Sequence, residues 1–263
     1  MNPTNTIGFD EFNFYTTRQS EVNGFNLTER NHPEFGYWRE SRFSLDHMTV
    51  HQHRTNLVRP VNVKFEKEPT ANYVHHCISL DGEIGAHFRD TNISARLVPH
   101  RFHQLYVPEN EYVLGMGQTF TNVHIEIDRA YYINMLCESE AWSAKLRNSL
   151  AEQEVFYPGE QVLSQQMINT LQDIFNSPLS GSLKRLLIEA KVQELVALQL
   201  NTVFGGTKRK KQNPANREVF HSIREYLSIN FLQEHSLKEI ARNFAINEFL
   251  LKKGFRETFN TTV

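Results

Sequence analysis

The sequence contains few cysteines and no long hydrophobic run. Its two cysteines, Cys77 and Cys137, are too few for a disulfide framework and lack the paired spacing of a zinc site. We therefore expect two small, buried hydrophobic residues in a reducing cytoplasm. No segment approaches the roughly 18 uninterrupted apolar residues of a membrane span, and the polar residues 1–12 are unlike a signal peptide. We expect no membrane contact.

The sequence also lacks the common motifs of catalysis. It has no GxSxG nucleophile elbow, no P-loop and no glycine fingerprint of dinucleotide binding. We therefore expect no enzymatic activity and assign no catalytic residue.

Charge is distributed unevenly along the 263 residues, which have the length for two domains and the composition of a soluble globular protein. The segment from Thr207 to Val263 carries eleven Lys and Arg against six Glu, whereas residues 1–206 carry 17 basic and 24 acidic residues. A basic tail on an acidic body predicts a polyanionic partner for the tail alone. The basic run Lys208–Lys211 fits either a solvated linker or a phosphate contact.

The first 36 residues are polar, with scattered aromatic residues, and we expect an irregular N-terminal arm whose role the sequence leaves open. Residues 37–128 are different, because apolar residues alternate at Val61, Val63 and Phe65, as is typical of strands with one buried face. Turn signals such as Asp81-Gly82 separate the runs. Eight short runs of this kind predict an antiparallel barrel of jelly-roll type. They are residues 43–50, 61–65, 73–80, 84–88, 93–98, 103–107, 112–116 and 123–127.

Histidines are concentrated in the predicted barrel. His51 and His53 have the HxH spacing that places two rings on one face of a strand. Others in this region are His75, His76, His87, His100, His103 and His124. Metal-dependent cupin enzymes bind iron or manganese through histidines and a carboxylate, but no Glu follows the HxH pair by four or five residues. We expect no metal site and a pocket without metal, and a metal-dependent cupin-like enzyme stays open as the alternative.

Residues 129–204 have helical periodicity. Helices are predicted over 129–136 and 138–150, and a longer one opens at Pro158-Gly159-Glu160. The segment Leu183–Phe204 is the most apolar helix, with one side formed by Leu183, Leu187, Ala190 and Ala197 and another by Ile188, Val192, Leu195, Val196 and Gln199. Two apolar faces indicate either a homodimer through this helix or a central helix within a monomer. Residues 205–215, rich in glycine and basic residues, form a linker to a last domain that begins with a helix over 217–231.

The segment from Ser236 to Val263 predicts two helices joined by a tight turn. Ser236 and Glu239 have the spacing of a capping box, and Asn247 suits the N-cap of the second helix. Leu251 and Phe255 share the buried face of that helix, and charged residues occupy its other faces. This pattern fits a helix-turn-helix or an amphipathic helical hairpin, which would make a protein-interaction module.

A resemblance separates these alternatives. The pattern resembles the first helix-turn-helix of AraC/XylS-type transcription regulators at Ala241, Phe244, Ala245, Ile246, Asn247, Leu251, Phe255 and Arg256. Residues 251–259 and 261–263 are similar to the pyochelin-regulator subgroup, which responds to ferri-siderophores. Asn260 stands where the family usually has glycine, a tolerable change because asparagine also adopts left-handed backbone. The family has a second helix-turn-helix, and the chain ends at Val263 before it, so we expect a truncated DNA-binding domain.

The resemblance implies an α+β architecture and a function. It implies a cupin-like effector barrel over residues 37–128, a dimerisation region over 129–204 and a DNA-binding domain over 216–263. The partners it implies are operator DNA, a small-molecule effector, a second copy and RNA polymerase. A ferri-siderophore is the effector of the subgroup, and we assign no effector-binding residue and no other cofactor.

DNA-binding residues can be carried over to the second helix. The resemblance places them at Asn247, Glu248, Phe249, Lys252, Lys253 and Arg256. Positions two, five and six after the Asn247 cap, which are Phe249, Lys252 and Lys253, are expected to contact base edges. Arg256, one turn further, is expected to contact phosphate.

Overall fold

The computed structural model describes residues 6–66, 72–109, 111–205, 219–220, 222–224, 226–227, 235–244, 246–259 and 261–263. The chain divides into two compact units, one of Met1–Leu163 and Thr170–Val203 and the other of Ser164–Asn169 and Phe204–Val263. Among the described residues, no helix is both long and apolar enough to cross a membrane.

The first unit is built mainly from strands. They are β1 (Thr6–Gly8), β2 (Thr16–Val22), β3 (Phe25–His32), β4 (Gly36–Ser44), β5 (Met48–Leu57), β6 (Val61–Phe65), β7 (Tyr73–Asp81), β8 (Ile84–Phe88), β9 (Ile93–Leu97), β10 (Arg101–Leu105), β11 (Tyr112–Met116), β12 (Thr119–Asp128) and β13 (Gln161–Val162). The helices whose bounds fall within the described residues are α1 (Phe9–Phe14), α2 (Arg129–Met135), α3 (Ala141–Ala151), α4 (Gln165–Asn176), α5 (Gly181–Phe204), α6 (Leu237–Asn243) and α7 (Glu248–Phe259).

These strands form two sheets. One has the order β13-β10-β7-β12-β5-β4-β3-β2 and the other β1-β6-β11-β8-β9. Neighbouring strands are antiparallel, except that β1 pairs with β6 in parallel. The sheets pack face to face through a core that includes Trp38 and Phe120 of the larger sheet and Val63, Leu97 and Met116 of the smaller one. The structure confirms the α+β fold with a cupin-like β-sandwich.

The N-terminal region differs from the sequence prediction. Residues 6–36 do not form an irregular arm, because they contain α1 and the strands β1, β2 and β3. Phe25 and Leu27 of β3 are buried as a strand pattern requires, but Arg30 and His32 on the same strand are also buried. Because the inward face of β3 carries polar residues, its sequence does not show the alternation of apolar and polar residues by which a strand is recognised. Residues 1–5 lie outside the described part of the chain.

Two predicted element boundaries also change. The single strand predicted over residues 43–50 is two strands, because the backbone N–H of Leu45 donates to the carbonyl of Met48 at 2.8 Å and closes a turn between β4 and β5. The helix predicted to open at Pro158-Gly159-Glu160 begins instead at Gln165, since residues 161–162 form β13 and pair with β10.

Helix α5 buries one of its two predicted apolar faces. Ile188, Val192 and Leu195 of one predicted face are fully buried, whereas Leu183 of the other is 62% exposed. Leu186, which belongs to neither predicted face, is 64% exposed. The buried face also carries Gln199, whose Oε1 lies 2.6 Å from Nδ1 of His76 on β7. This pair joins the helix to the outer face of the larger sheet.

The second unit contains the predicted pair of helices. Ser236 and Glu239 form the capping box of α6, and the Asn247 side chain accepts a 2.7 Å hydrogen bond from the backbone N–H of Leu250 at the start of α7. A compact core joins the helices, formed by Phe220, Ile223, Ile240, Ala241, Leu251 and Phe255. The linker from residue 206 onward, and most of the helix predicted over 217–231, lie outside the described residues.

Candidate functional site

A cavity of about 860 Å³ lies between the two sheets of the first unit. The smaller sheet gives it an apolar wall that includes Phe65, Ile84, Phe88, Leu97 and Leu114. The wall from the larger sheet is polar and includes Arg30, Glu40, Arg42, His51, His53, His75, Cys77, His103, Asn122, His124 and Glu126. A ligand in this cavity therefore meets an apolar surface on one side and a charged, imidazole-rich surface on the other.

Strand register explains why the polar residues converge. Residues paired directly across neighbouring strands have side chains on the same face of a sheet. One such row crosses five strands and consists of Arg42, His51, His124, Cys77 and His103. On either side of it, Glu126 pairs with His75 and Glu40 pairs with His53. On four of the five strands two of these residues are separated by one position, because alternate residues of a strand point into the cavity.

An ion-pair chain runs along one part of the polar wall. Nδ1 of His51 lies 2.9 Å from Glu40 Oε1, and its Nε2 lies 3.4 Å from Glu126 Oε2. Arg30 Nη2 contacts the other oxygen of Glu40 at 3.1 Å. His51 thus lies between two carboxylates, and Glu40 lies between two cations.

These contacts shift the pKa values of the three central groups. Burial alone would raise the pKa of Glu40 and Glu126, but the hydrogen bonds to His51 and the nearby positive charges hold both well below the usual range. Burial alone would lower the pKa of His51, and the hydrogen bonds to Glu126 and Glu40 raise it instead. These contacts therefore favour the charged form of all three groups, the two carboxylates and the imidazolium between them.

Three other histidines of the cavity have lowered pKa values, which favours their neutral form. Burial lowers the pKa of His53 and His103 to about 4 and that of His124 well below its ordinary value. Nδ1 of His75 and Nε2 of His124 lie 3.0 Å apart. Burial raises the pKa of Cys77, between His124 and His103 in the row, to about 12, so it is a thiol. Neutral imidazoles are the form that binds metal ions.

Two groups of three residues have the composition of metal-ligand sets. One is Glu40, His51 and His53 and the other is His75, His124 and Glu126, each with its ligand atoms within 4.8 Å of one another. Sequence reasoning sought a carboxylate after the HxH pair, whereas the structure supplies Glu40 and Glu126 from neighbouring strands. The available signal was alternation, since His75-x-Cys77 and His124-x-Glu126 repeat the spacing of His51-x-His53.

Other histidines singled out in the sequence lie elsewhere. His76 faces α5, with Nδ1 bonded to Gln199. His87 lies 2.9 Å from the Ser94 hydroxyl. His100 adopts a positive φ of 59° after β9.

The predicted DNA-binding residues share the exposed face of α7. Glu248, Lys252, Lys253 and Arg256 are exposed, and Phe249 is 74% exposed. The opposite face packs Leu251 and Phe255 into the core of the second unit. The Lys253 Nζ lies 5.8 Å from the centre of the Phe249 ring. Asn247 instead caps the helix through its side chain, and contact with DNA stays a prediction for all six.

Comparison with known proteins gives one strong match. A family model described as the regulatory protein PchR N-terminal domain matches residues 36–216. No curated protein matches the chain in sequence.

Solved structures give weaker likenesses. The AraC-like transcriptional activator CuxR is 12% identical with a TM-score of 0.41, covering 90% of this chain and 76% of that one. A variant of apo ToxT from Vibrio cholerae strain SCE256 is 10% identical with a TM-score of 0.41, covering 83% and 96%. Wild-type ToxT from the same strain, with an unsaturated fatty acid bound, is 11% identical with a TM-score of 0.37, covering 83% and 94%. At these scores the likeness carries no argument of its own.

The family match covers more than half of the chain. It does not overlap residues 241–263, which carry the resemblance to pyochelin regulators, so two separate stretches of sequence indicate the same family. The chain therefore belongs to the PchR family of regulatory proteins, and residues 36–216 match its N-terminal domain.

Proposed function

We propose that this chain is a cytoplasmic transcription regulator that binds a small molecule in the barrel cavity and reads operator DNA with α7. The observation that carries the proposal is that α7 has two distinct faces. Its exposed face bears Phe249 and three cations, and its other face packs against α6 in the core of the second unit. A helix of this kind, second in a helix pair and exposed along one face, is the element that enters the major groove. The family supports regulation rather than catalysis.

The residues of α7 have distinct roles in this proposal. Phe249 packs on a thymine methyl group, and Lys252 and Lys253 donate to guanine acceptors, each good contact being worth about 1–3 kcal/mol of discrimination. Arg256 neutralises a phosphate, which contributes equally on every sequence. The negative charge of Glu248, in the first turn of α7, stabilises the positive end of the helix dipole. The same charge repels phosphate, so it disfavours positions of α7 in the groove that would bring Glu248 close to the DNA backbone.

Substituting two cations of α7 tests these roles. We expect Lys252→Ala to relax sequence preference and Arg256→Ala to weaken binding to all sequences alike, with a salt slope lower by about one unit. The measurement is affinity at several salt concentrations for a sequence selected from a random pool by this protein and for unrelated DNA. Lys145→Ala, which removes an exposed charge from α3, is the matched control. Identical effects of both α7 variants on selected and unrelated DNA would contradict the assigned roles.

The effector in this proposal is a small molecule with an apolar part and a polar, metal-associated part. The apolar wall of the smaller sheet and the histidine-rich wall of the larger sheet support this class. A ferri-siderophore, the effector implied by the subgroup, has this chemistry and serves as the first compound to test. The cavity volume of about 860 Å³ lies within the usual range for small-molecule sites.

Tryptophan fluorescence should report effector binding. Trp38 lines the cavity and is 3% exposed, whereas Trp142 lies on α3 outside the cavity lining. We expect titration with a ferri-siderophore to quench emission, and the quenching should persist in Trp142→Phe and disappear in Trp38→Phe. Quenching that requires Trp142 would place the effector elsewhere.

A homodimer and an RNA polymerase contact complete the proposal. Leu183 and Leu186 on α5 are exposed although the helix buries its other apolar face. Burial of these leucines against the same helix of a second copy would stabilise a dimer by removing apolar surface from water. Two copies would then present two α7 helices to a pair of operator half-sites.

A further inference from the structure

We propose that His75, His124 and Glu126 bind a divalent first-row transition-metal ion through the protein's own side chains. The three residues come from β7 and β12, which are neighbours in the larger sheet, and Glu126 pairs directly with His75. Two imidazoles and one carboxylate suit iron(II), cobalt, nickel or zinc. The resulting site lies on the polar wall of the cavity.

The spacing of the ligand atoms fits coordination. His75 Nδ1 and His124 Nε2 are 3.0 Å apart. Two nitrogens that each lie about 2.0–2.1 Å from one metal ion, at the angles of octahedral or tetrahedral coordination, are separated by about 2.9–3.4 Å. One ring nitrogen of each histidine and one carboxylate oxygen of Glu126 all lie within 4.8 Å of one another. Together the three side chains would make a three-residue site that leaves coordination positions open.

Each member of the neighbouring group of Glu40, His51 and His53 contacts a residue outside that group. Nδ1 of His53 accepts a hydrogen bond from Trp38 Nε1 at 3.2 Å. Glu40 contacts Arg30 and His51, and the other nitrogen of His51 reaches Glu126. This arrangement makes His51 a second-shell partner that orients the Glu126 carboxylate, a role that is common around metal ligands.

Two unsatisfied groups in the same cavity independently indicate that it receives a ligand. His103 and Asn122 are each 4% exposed, and both line the cavity. Nδ1 of His103 and Oδ1 of Asn122 have no hydrogen-bond partner among the residues that the structure describes. Buried polar atoms without partners cost stability unless a ligand, ion or water satisfies them.

The metal ion would connect the cavity to the effector. Its open positions face the space between the sheets, so donor atoms of a chelating effector can complete the coordination shell. This part of the inference rests on the proposed function, since it takes the cavity as the effector site. The metal site itself does not depend on DNA binding.

Titration of the chelator-treated protein with Co²⁺ alone tests the site. We expect one Co²⁺ per chain, visible d–d absorption typical of mixed imidazole and carboxylate ligands, and a higher midpoint of thermal unfolding. His75→Asn, His124→Asn and Glu126→Gln should each weaken binding by about 100-fold or more, because each removes one ligand. His51→Gln should weaken it by about tenfold, as expected of an orienting residue. His87→Gln, at a histidine outside the cavity lining, is the matched control.

Circular dichroism of each variant separates loss of a ligand from loss of the fold. If one variant fails to fold, the two others still decide the assignment. Folded wild-type protein that binds no Co²⁺, or binding that survives all three substitutions, would overturn the proposal. So would binding that is lost in Glu40→Gln and His53→Asn but retained in His75→Asn. The DNA affinity of α7, measured without metal, tests the proposed function separately.

Discussion

Gly254→Ala is expected to unfold the helix pair of the second unit and to leave the barrel folded. Gly254 lies in the middle of α7, where a Cβ atom would overlap the ring of Phe220. That ring is 1% exposed and belongs to the core that α6 and α7 share. The added methyl group therefore forces the helix away from its core.

The free-energy cost of the overlap is expected to exceed the stability usually gained by replacing a glycine within a helix. Alanine in a helix interior gains about 1 kcal/mol over glycine, whereas overpacking of a closed core costs about 1–3 kcal/mol and more when a ring cannot move. A small unit has little stability to lose. We expect DNA affinity to fall at least tenfold as the folded population decreases.

Hydrogen exchange measured by mass spectrometry would locate the effect. Peptides from α6 and α7 should lose protection, and peptides from β5 and β12 should not change. Gly8→Ala is the matched control, because a Cβ there meets no atom within 4 Å. Phe220→Leu combined with Gly254→Ala should recover part of the protection by relieving the overlap. Full protection of α7 in Gly254→Ala alone would show that the ring yields.

Features with a local physical cause were predictable from the sequence. The bounds predicted for β6, β8 and β11 match the structure, because alternation and the turn residues between them are properties of neighbouring residues. The capping box at Ser236 and the N-cap at Asn247 depend on contacts three residues apart, and both are present. The resemblance then identified the family, which the match over residues 36–216 confirms.

Features that depend on pairing between distant segments were not predictable. The strands β2 and β3 were missed because β3 turns Arg30 and His32 inward, where Arg30 meets Glu40 of the next strand. The polar wall of the cavity has the same cause, since Glu40 and Glu126 reach His51 from opposite neighbouring strands. No single strand shows a complete ligand set. Only the cross-strand register brings the set together.

Acidification is expected to destabilise the barrel well above the pH at which carboxylates titrate. Burial lowers the pKa of His76 and His103 from the ordinary 6.5 to about 4. Between these values the unfolded chain binds protons that the folded protein excludes, so the unfolding free energy falls as pH falls. The contribution is complete above about 6.5 and lost at about 4. Each histidine accounts for roughly 3 kcal/mol over that interval at 1.36 kcal/mol per pKa unit.

Other groups of the polar wall modify this dependence without reversing it. Glu40 and Glu126 have lowered pKa values, so their contribution is present above about 4.5 and lost only at still lower pH. His51 has a raised pKa, so its contribution is present below 6.5 and lost as pH rises through the raised value. The single histidine with a raised pKa makes the unfolding free energy rise as pH falls, whereas the several histidines with lowered pKa values make it fall. The net unfolding free energy should therefore decrease from about pH 7 to pH 5.

Urea unfolding at about pH 7, 6 and 5, with a chelator present so that metal ions do not compete with protons, measures this dependence. His103→Gln keeps a polar side chain of similar size without a titrating group, so we expect a pH slope reduced by up to one proton between pH 6 and pH 5. His87→Gln, on the neighbouring sheet and outside the cavity lining, is the matched control. A stability that stays constant down to pH 5 would mean that the buried imidazoles accept protons in the folded state.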